Sequence, residues 1–494
     1  MKALFRRLVL LFAALALLPC AAAADDDLPY MTYNYDYWVR VTYTPAPYVP
    51  DGTVQGASLS YAGAPLGAFS SPQDLCVAPD GTVYIADTGN NRIVVLDGEL
   101  KNVVRVIDSF ELGGARDTFS SPYGVAVSLK GLIYIADSFN RRIVILNADG
   151  SLASVVRDPK SEVLEEGFVF TPLKVCVDYA DRIYCIAQKM FEGIMVFESN
   201  GQFTGFFGTI QVKISLWDKF WRRIATREER SRQQLYIPTE FTGIDIDQEG
   251  FVYASNVDTD GVQAVRRLNP RGQDVIKAGV NKNLGGDLWT GGFTLYAGPS
   301  KIVDVVYRDK GIYSLLDSKR GRVFTYDHEG NLLYIFGGLG TQAGTFTTPV
   351  AIERLGDRLI VLDAYQASII IFSATKYGAL INEAVGLRYD GDEKSAVPLW
   401  EEVLRLDENN ELANTGIGKA YLAAGDNAQA MKYLKRGMNK AYYSVAYKRL
   451  RNEWFRKNMS AILTGSVAFA ALLAFCVRAL KKRRARDRIG RTAA

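Results

Sequence analysis

The sequence predicts a mainly β protein whose similar antiparallel sheets form a closed ring, followed by a small helical segment and one membrane-spanning helix. Three observations lead to this prediction. One phrase recurs along most of the chain, strand-like alternation gives way to helical spacing after residue 375, and an uncharged apolar stretch lies near the C-terminus. With 494 residues, of which 48% are apolar, the chain can form more than one packed unit.

The recurring phrase is clearest at its first two occurrences. "GTVYIADTGNNRIVVLDG" begins at Gly81, and "GLIYIADSFNRRIVILNADG" begins at Gly131, 50 residues later. Six units are anchored by prolines spaced 50, 50, 66, 61 and 50 residues apart, namely Pro72, Pro122, Pro172, Pro238, Pro299 and Pro349. Apolar and polar residues alternate within each unit between turns rich in Gly, Asp and Asn, which predicts an antiparallel meander of four strands.

A single meander cannot bury both of its faces, so the six copies are expected to stack around an axis as the blades of a β-propeller. The ring must close, because its first and last blades would otherwise expose unpaired strand edges. In segment 33–44 the odd positions are all apolar or aromatic. We therefore expect this segment to add a strand to the last blade and close the ring.

The units resemble NHL repeats. Residues Pro122–Val127 and Tyr134–Ile143 fit the family's pattern, and the first unit also fits, except that Asp74 stands where the family has Gly. The resemblance covers about residues 60–375 and weakens from the third unit onward. It implies a six-bladed NHL-type β-propeller over residues 30–375. It leaves the activity open, because such propellers include binding platforms, lactonase-like enzymes and lyases.

Polar residues recur at fixed places after the second strand of several units. They are Asp87, Asn91, Arg92, Asp137, Asn140, Arg142, Asp317, Arg322 and Asp363. Asp and Asn side chains bind nearby backbone amides in turns, and a following Arg can pair with the Asp. We therefore expect a structural role for this set rather than a ring of ligands.

Helical spacing characterises segment 376–458. Two stretches align at an offset of 34 residues, with Trp400 matching Leu434, and 34 is the length of a tetratricopeptide (TPR) repeat. The alignment resembles two TPR units over 376–441, and the remainder is expected to cap them. TPR pairs most often bind proteins, so Trp400 and Tyr421 are candidate binding residues. A spacer packed against the propeller is the alternative.

The two ends of the chain have the composition of targeting segments. Residues 1–24 show the basic start, apolar core and small-residue end of a signal peptide, with a lipoprotein signal at Cys20 as a weaker alternative. Residues 459–477 are uncharged and long enough to span a membrane as a helix. The tail 478–494 has eight Lys and Arg residues, which favour the cytoplasmic side. The predicted location is the cell membrane, with a single span and an extracellular propeller.

The long third interval contains segment 211–234, which predicts a basic amphipathic helix. Its seven Lys and Arg residues exceed its three Asp and Glu residues, giving a net charge of +4. The candidate binding residues in it are Trp217, Phe220, Trp221, Arg222 and Arg223. Such a helix suits a membrane surface or a partner protein. Packing across the flank of the propeller is an equal alternative.

The residue types exclude several kinds of active site. The only histidine, His328, lies in a hairpin turn that is expected to be exposed. One histidine cannot form a His-rich zinc site, and no Ser-His-Asp triad is possible away from His328. No Gly-rich phosphate loop is present either. We expect no catalytic residues and no resident cofactor, with calcium at the channel mouth, bound by carboxylate and amide oxygens, as the open alternative.

These observations favour a non-enzymatic binding or scaffold protein on a bacterial cell surface. Its propeller and TPR surfaces are expected to recruit proteins or glycans near a membrane transport complex, and the net charge of +4 gives no reason to expect nucleic acid. The alternative is a calcium-dependent, lactonase-like or lyase-like propeller enzyme.

The three cysteines of the predicted propeller are expected to stay unpaired. If the third unit follows the alternation of the first, Val175 and Cys185 lie on one face of their hairpin and Cys176 on the other. Cys76 lies two blades away, which is too far for a disulfide.

Overall fold

The structure is a computed structural model that describes residues 28–157, 159–164, 167–209, 240–257, 264–279, 284–288 and 297–492. The predicted signal peptide 1–24 and the predicted helix 211–234 lie outside the described residues. Five of the candidate binding residues belong to this predicted helix and are therefore also outside the described residues, namely Trp217, Phe220, Trp221, Arg222 and Arg223.

Six antiparallel sheets follow one another along the chain, as predicted. Ahead of them come β1 (Tyr33–Tyr35), β2 (Val41–Tyr43), β3 (Tyr48–Gln55), the 3-10 turn Gly56–Ser58, β4 (Ser60–Tyr61) and β5 (Ala64–Pro65). Blade one has β6 (Asp74–Val77), β7 (Val83–Asp87), the 3-10 turn Thr88–Asn90, β8 (Arg92–Leu96) and β9 (Val103–Ile107). The hairpin β10 (Ser109–Leu112) and β11 (Ala115–Thr118) follows.

The remaining blades repeat this order. Blade two has β12 (Pro122–Val127), β13 (Ile133–Asp137), β14 (Arg142–Leu146) and β15 (Leu152–Arg157). Blade three has β16 (Pro172–Val177), β17 (Ile183–Ala187), β18 (Ile194–Phe197) and β19 (Phe203–Phe207). The described residues of blade four form β20 (Phe241–Ile246), β21 (Val252–Asn256) and β22 (Val265–Leu268). Blade five has β23 (Ile302–Asp309), β24 (Ile312–Asp317), β25 (Arg322–Tyr326) and β26 (Leu332–Phe336), and blade six has β27 (Pro349–Leu355), β28 (Arg358–Asp363) and β29 (Ser368–Ala374). The first strand of each blade contacts the first strand of the next, and β27 contacts β6, so the ring is complete.

The ring is closed by β3, and the prediction that segment 33–44 closes it is wrong. β3 pairs antiparallel with β29 as the outer strand of blade six, with Tyr48 opposite Ala374 and Gln55 opposite Ser368. The first long strand of the chain and the last strand of the propeller therefore belong to one sheet. This pairing closes the ring, so that it has no unpaired ends.

Segment 33–44 forms instead a hairpin on the outer edge of blade five. β1 pairs with β26 through Tyr33 and Ile335, and β2 pairs only with β1. The chain reverses between Asp36 and Arg40, where the Asp36 amide donates to the Arg40 carbonyl over 3.0 Å. This reversal interrupts the alternation of aromatic and polar residues along the segment. Tyr33 and Tyr35 of β1 are therefore buried, whereas all three side chains of β2 are exposed.

Five helices follow the propeller. They are α1 (Lys376–Tyr389), α2 (Glu393–Leu406), α3 (Glu411–Ala423), α4 (Asn427–Arg436) and α5 (Lys440–Thr492). The first four begin at polar N-caps whose side chains accept a backbone amide hydrogen bond, namely Thr375, Asp392, Asn410 and Asp426. Each helix packs on the next, as in TPR arrays. Within the described chain, α5 is the one helix long and apolar enough to cross a membrane, and its apolar part is exposed.

One hydrophobic core joins the helices to blades five and six. Buried side chains of the closing strand and both blades, including Tyr48, Phe336 and Phe372, pack in the same cluster as Tyr377 and Trp400 of the helices. The helical segment is therefore part of the folded body of the propeller.

The recurring polar residues have the structural role that was predicted. Asp87 is fully buried, and its carboxylate accepts hydrogen bonds from the Ser70 amide, the Asn90 amide group and the Arg92 guanidinium at 2.7–2.9 Å. Asp137 does the same in blade two. The repeated amide partner is Asn90 rather than Asn91. In blade five the pattern changes, because Arg322 donates to backbone carbonyls instead.

The predicted strand register of blade three is confirmed. Val175 lies opposite Cys185, and Cys176 lies opposite Tyr184, so the two thiols leave opposite faces of the sheet. Cys76, Cys176 and Cys185 are free thiols in the structure.

Because the register separates these thiols, we expect mass spectrometry of the unreduced, alkylated protein to find all three as singly alkylated residues. A disulfide-linked peptide joining Cys176 and Cys185 would contradict the register of β16 and β17.

Candidate functional site

One position of each innermost strand corresponds to the Gly of the NHL pattern. In blade order its occupants are Asp74, Gly124, Lys174, Gly243, Asp304 and Ala351. Charged residues thus occupy the odd blades, and small residues occupy the even ones. Because Lys174 of blade three touches residues of blades one and five, its side chain crosses the centre of the ring.

Lys174 is held between two carboxylates. Its Nζ lies 2.8 Å from Asp74 Oδ1 and 3.1 Å from Asp304 Oδ2. The other blades contribute backbone donors, because the amides of Val125 and Ile352 donate to Asp74 and Asp304, each over 3.0 Å. All three charged side chains are at least nine-tenths buried. We call Asp74, Lys174 and Asp304 the channel triad.

The small residues between them provide the space for this arrangement. A Cβ atom at Gly243 would lie 2.4 Å from Asp304 Oδ1 and 2.6 Å from its Cα, and one at Gly124 would lie 2.9 Å from the Lys174 Cα. Neither position has room for a side chain, because the backbone of the neighbouring innermost strand lies against it. The glycines therefore allow the innermost strands to approach each other closely beside the charged residues.

A second layer lies two residues further along the same strands, and therefore on the same face. It contains Cys76 and Cys176 together with half-buried Asp245 and Glu353. Burial raises the pKa of Asp245 to about 7, against the hydrogen bonds from the Tyr307 and Ile246 amides that lower it. Burial and then the charge of Asp245 raise the pKa of Glu353 as well. The channel is thus acidic in composition, and the pKa values of these two carboxyl groups lie above their ordinary range.

Burial and charge act in opposite directions on the channel triad. Burial alone lowers the pKa of Lys174, but the charges of Asp304 and Asp74 outweigh it and raise this pKa, so the ammonium stays charged. Burial raises the pKa of Asp304 to about 6, although Lys174 lowers it. The triad therefore consists of a lysine cation facing carboxylates that are costly to ionise.

These carboxylates do not fit the calcium site that the sequence left open. In the described parts of the chain, no group of three or more His, Cys, Asp or Glu residues is arranged to hold a metal ion. Oxygens of Asp74 and Asp304 are already directed at the Lys174 ammonium. Lys174 and Asp304 were not singled out from the sequence, although both replace the NHL glycine as Asp74 does.

A second charged cluster joins blade five to the helices. Glu329 Oε2 accepts hydrogen bonds from Arg388 at 3.0 Å and from Lys419 at 2.7 Å. Burial raises the pKa of Glu329, but the two cations outweigh it and lower the pKa to about 2. The neighbouring His328 was predicted to be exposed, and this is wrong. It is half-buried with its ring centroid 5.2 Å from that of Tyr389, because α1 packs over the turn.

Two of the predicted binding residues lie within the described chain. Trp400 is fully buried in the shared core and packs on Gly416, so it cannot contact a partner directly. This placement corrects the prediction for Trp400. Tyr421 is half-buried and stacks on Tyr433 with ring centroids 5.6 Å apart.

Two family models match the chain. The NHL repeat model matches residues 69–96, and the tetratricopeptide repeat model matches residues 387–453. The chain is thus a six-bladed β-propeller that contains an NHL repeat and is followed by tetratricopeptide repeats. Curated proteins give no match.

Solved structures similar to this chain include two propeller enzymes. One is virginiamycin B lyase from Staphylococcus aureus, with 10% identity, a TM-score of 0.41, and coverage of 66% of this chain and 100% of that chain. Another is a gluconolactonase from Xanthomonas campestris, with 11% identity, a TM-score of 0.37, and coverage of 65% of this chain and 89% of that chain.

Replacing Lys174 with Met should leave Asp74 and Asp304 buried without their cation. We expect a loss of about 3–5 kcal/mol in the free energy of unfolding, measured by urea denaturation of the full chain in detergent. The loss should be larger at pH 8 than at pH 5. Lys174 lowers the pKa of Asp304, so its removal raises this pKa further in the folded variant. A carboxyl with a raised folded-state pKa contributes its full stability below its unfolded pKa of 3.8 and loses it as pH rises through the folded value. Between pH 5 and pH 8 the variant therefore loses more stability than the wild type.

The matched control for this variant is Lys130→Met. Lys130 also pairs with an aspartate, Asp181, but its side chain is 66% exposed. Its loss should cost at most about 1 kcal/mol at either pH. Equal effects of the two substitutions would contradict the role assigned to the channel triad.

Replacing Glu329 with Gln should weaken the attachment of the helices to blade five. Because Arg388 and Lys419 lose their shared carboxylate, we expect a cost of about 1–2 kcal/mol in thermal or urea unfolding. In the wild type this contribution is present above the unfolded pKa of 4.5 and is lost as pH falls toward 2. Glu99→Gln, at an exposed pair with Lys101, is the control and should be neutral. A variant with wild-type stability at pH 7 would show that Glu329 does not secure this interface.

Proposed function

We propose that this chain is a membrane-anchored, extracellular binding protein whose propeller and helical repeats act as one platform that recruits a partner near a membrane transport complex. Proteins or glycans are the ligand classes to which such surfaces are suited. The observation that carries the proposal is an exposed apolar hairpin at the junction between propeller and helices, formed by residues 31–43. We call it the edge hairpin.

The edge hairpin is anchored at one end and exposed at the other. Tyr33 and Tyr35 are buried against blade five. The exposed apolar side chains are Met31, Trp38, Val39, Val41 and Tyr43, with Trp38 61% and Tyr43 72% accessible. β2 also forms the edge of its sheet, so its outer backbone groups are available to another strand. An apolar patch beside a free strand edge favours protein binding by strand addition.

The edge hairpin also touches the helical repeats. The Tyr37 amide donates to Glu411 Oε1 over 3.2 Å, and the Lys440 ammonium lies 5.0 Å from the centroid of the Tyr37 ring. A partner bound here would therefore meet the propeller and the start of α5 together. This contiguity supports a joint role for the two repeat types.

The features of α5 support a single membrane span. The apolar segment 459–477 is preceded by exposed Trp454 and Phe455 and followed by the basic tail. Aromatic residues favour the membrane interface, and basic residues favour the cytoplasmic side. Five Lys and Arg residues also lie in the 15 residues before the span, against eight in the tail, and this smaller excess favours an extracellular propeller.

The proposal is tested by capture of partners from detergent extracts of membranes. Deleting residues 376–441 would expose the core shared with blades five and six, so point variants are needed. The double variant Trp38→Ser and Tyr43→Ser changes only exposed side chains and should fold normally. We expect partner recovery, measured by quantitative mass spectrometry, to fall by roughly 30-fold, as for loss of about 2 kcal/mol at a hot spot.

Phe139→Ser is the matched control, because Phe139 is 73% exposed on blade two, away from the edge hairpin. It should capture the wild-type set of partners. Undiminished recovery by the double variant would refute the assigned binding surface.

A further inference from the structure

A cavity of about 490 Å³ lies between blade five, blade six and α1. Its wall includes Tyr48 of the closing strand, Arg308 of blade five and Asn382 of α1. This volume is in the range of small-molecule sites in proteins, about 300–1,000 Å³. The cavity plays no part in the channel triad or the edge hairpin.

Three guanidinium groups line this cavity, from Arg308, Arg354 and Arg358. Among the described residues none of the three forms an ion pair. Arg354 donates to the carbonyls of Gly356 and Arg308, and Arg358 donates to the Gly98 carbonyl over 2.8 Å. Neutral acceptors orient these groups but leave their positive charges without a counterion.

Arg308 is held by two tyrosine side chains. It donates to the hydroxyls of Tyr334, at 2.6 Å, and Tyr48, and it lies over the Tyr48 ring at 5.2 Å. Its Nε is buried and meets no acceptor within the described structure. The two tyrosine hydroxyls and the Tyr48 ring therefore fix the orientation of this guanidinium group, whose charge they do not neutralise.

The acidic residues around the cavity lie at its exposed rim. They are Asp309, Asp357 and Glu383, all of them solvent-exposed. A fourth cation, Lys310, pairs with Asp390 outside the cavity. The rim carboxylates are hydrated, so they compensate the enclosed guanidinium charges only weakly. The three guanidinium groups are therefore the charges that an anionic ligand in the cavity would meet.

We propose that this cavity binds a small anionic ligand through a carboxylate or phosphate group held by Arg308, Arg354 and Arg358. The planar guanidinium presents paired donors that match both groups. The neutral part of the ligand would rest on Ile312, Ala379 and Gly386, which form the apolar lining. The proposal does not rest on partner recruitment by the edge hairpin.

The test is isothermal titration calorimetry on the full chain in detergent, with inorganic phosphate, glucuronate and neutral glucose as separate titrants. Binding of phosphate alone assigns a phosphate-bearing ligand, and binding of glucuronate assigns an acidic sugar. Glucose should not bind. Absence of binding by both anions would overturn the proposal.

Substitutions then locate the site. Arg354→Gln and Arg358→Gln should each weaken binding of the active anion by at least about tenfold, and Arg358→Lys should restore only part of it, because it keeps the charge but loses the fork of donors. Each variant is compared with the wild type by thermal unfolding without ligand, and Arg358 is suited to this because it makes a single backbone contact. Arg436→Gln, at an exposed position on α4, is the charge control and should bind as the wild type does. Wild-type affinity in both Arg354→Gln and Arg358→Gln would overturn the site.

Discussion

The pairing of β3 with β29 is the constraint on which the rest of the structure depends. It closes the ring, and it also places Tyr48 between the propeller and the helices, where its ring stacks on Phe336 at 5.0 Å. The same segment starts the helical repeats, because the Thr375 hydroxyl caps α1 and donates to the Ala46 carbonyl over 2.5 Å. Loss of this strand would open a sheet edge, the shared core and the basic cavity together.

The limited space at the ring axis restricts which side chains the innermost strands can carry there. Six full side chains cannot meet there, and the chain alternates charged residues with Gly, Gly and Ala. The lysine joins blades one, three and five, while amides of blades two and six complete the carboxylate contacts. Buried ion groups contribute little net stability compared with apolar packing. We infer that their effect here is geometric, since Lys174 can reach both aspartates only when the blades stand in their native order.

Local patterns made the blades predictable, whereas contacts between distant segments were not. Period-two alternation set the register of β16 and β17, and repeated turn residues identified the Asp87 network. The closing strand β3 was not predicted, because its sequence "YVPDGTVQ" contains Pro, Asp and Gly, which are unfavourable in strands. Segment 33–44 alternates more regularly and was predicted as the closing strand instead. The burial of Trp400 and His328 depends on which surfaces the helices cover. The channel triad likewise depends on ring closure, which brings residues 100 or more positions apart into contact.

The helical repeats also determine how close the platform can lie to a membrane. Their contacts continue well into α5, since Arg449 donates to the Leu422 carbonyl over 3.0 Å and Asn427 donates to Glu453 over 2.7 Å. The apolar segment begins at residue 459, so only five residues, or about 8 Å of helix, separate the last of these contacts from it. With 459–477 as the span, the repeats would lie directly against the membrane surface. The edge hairpin contacts α5 at Lys440, 19 residues or about 28 Å of helix before residue 459. A partner that binds the edge hairpin and follows α5 toward residue 459 would therefore approach the membrane surface, which is why a membrane complex is the partner to test first.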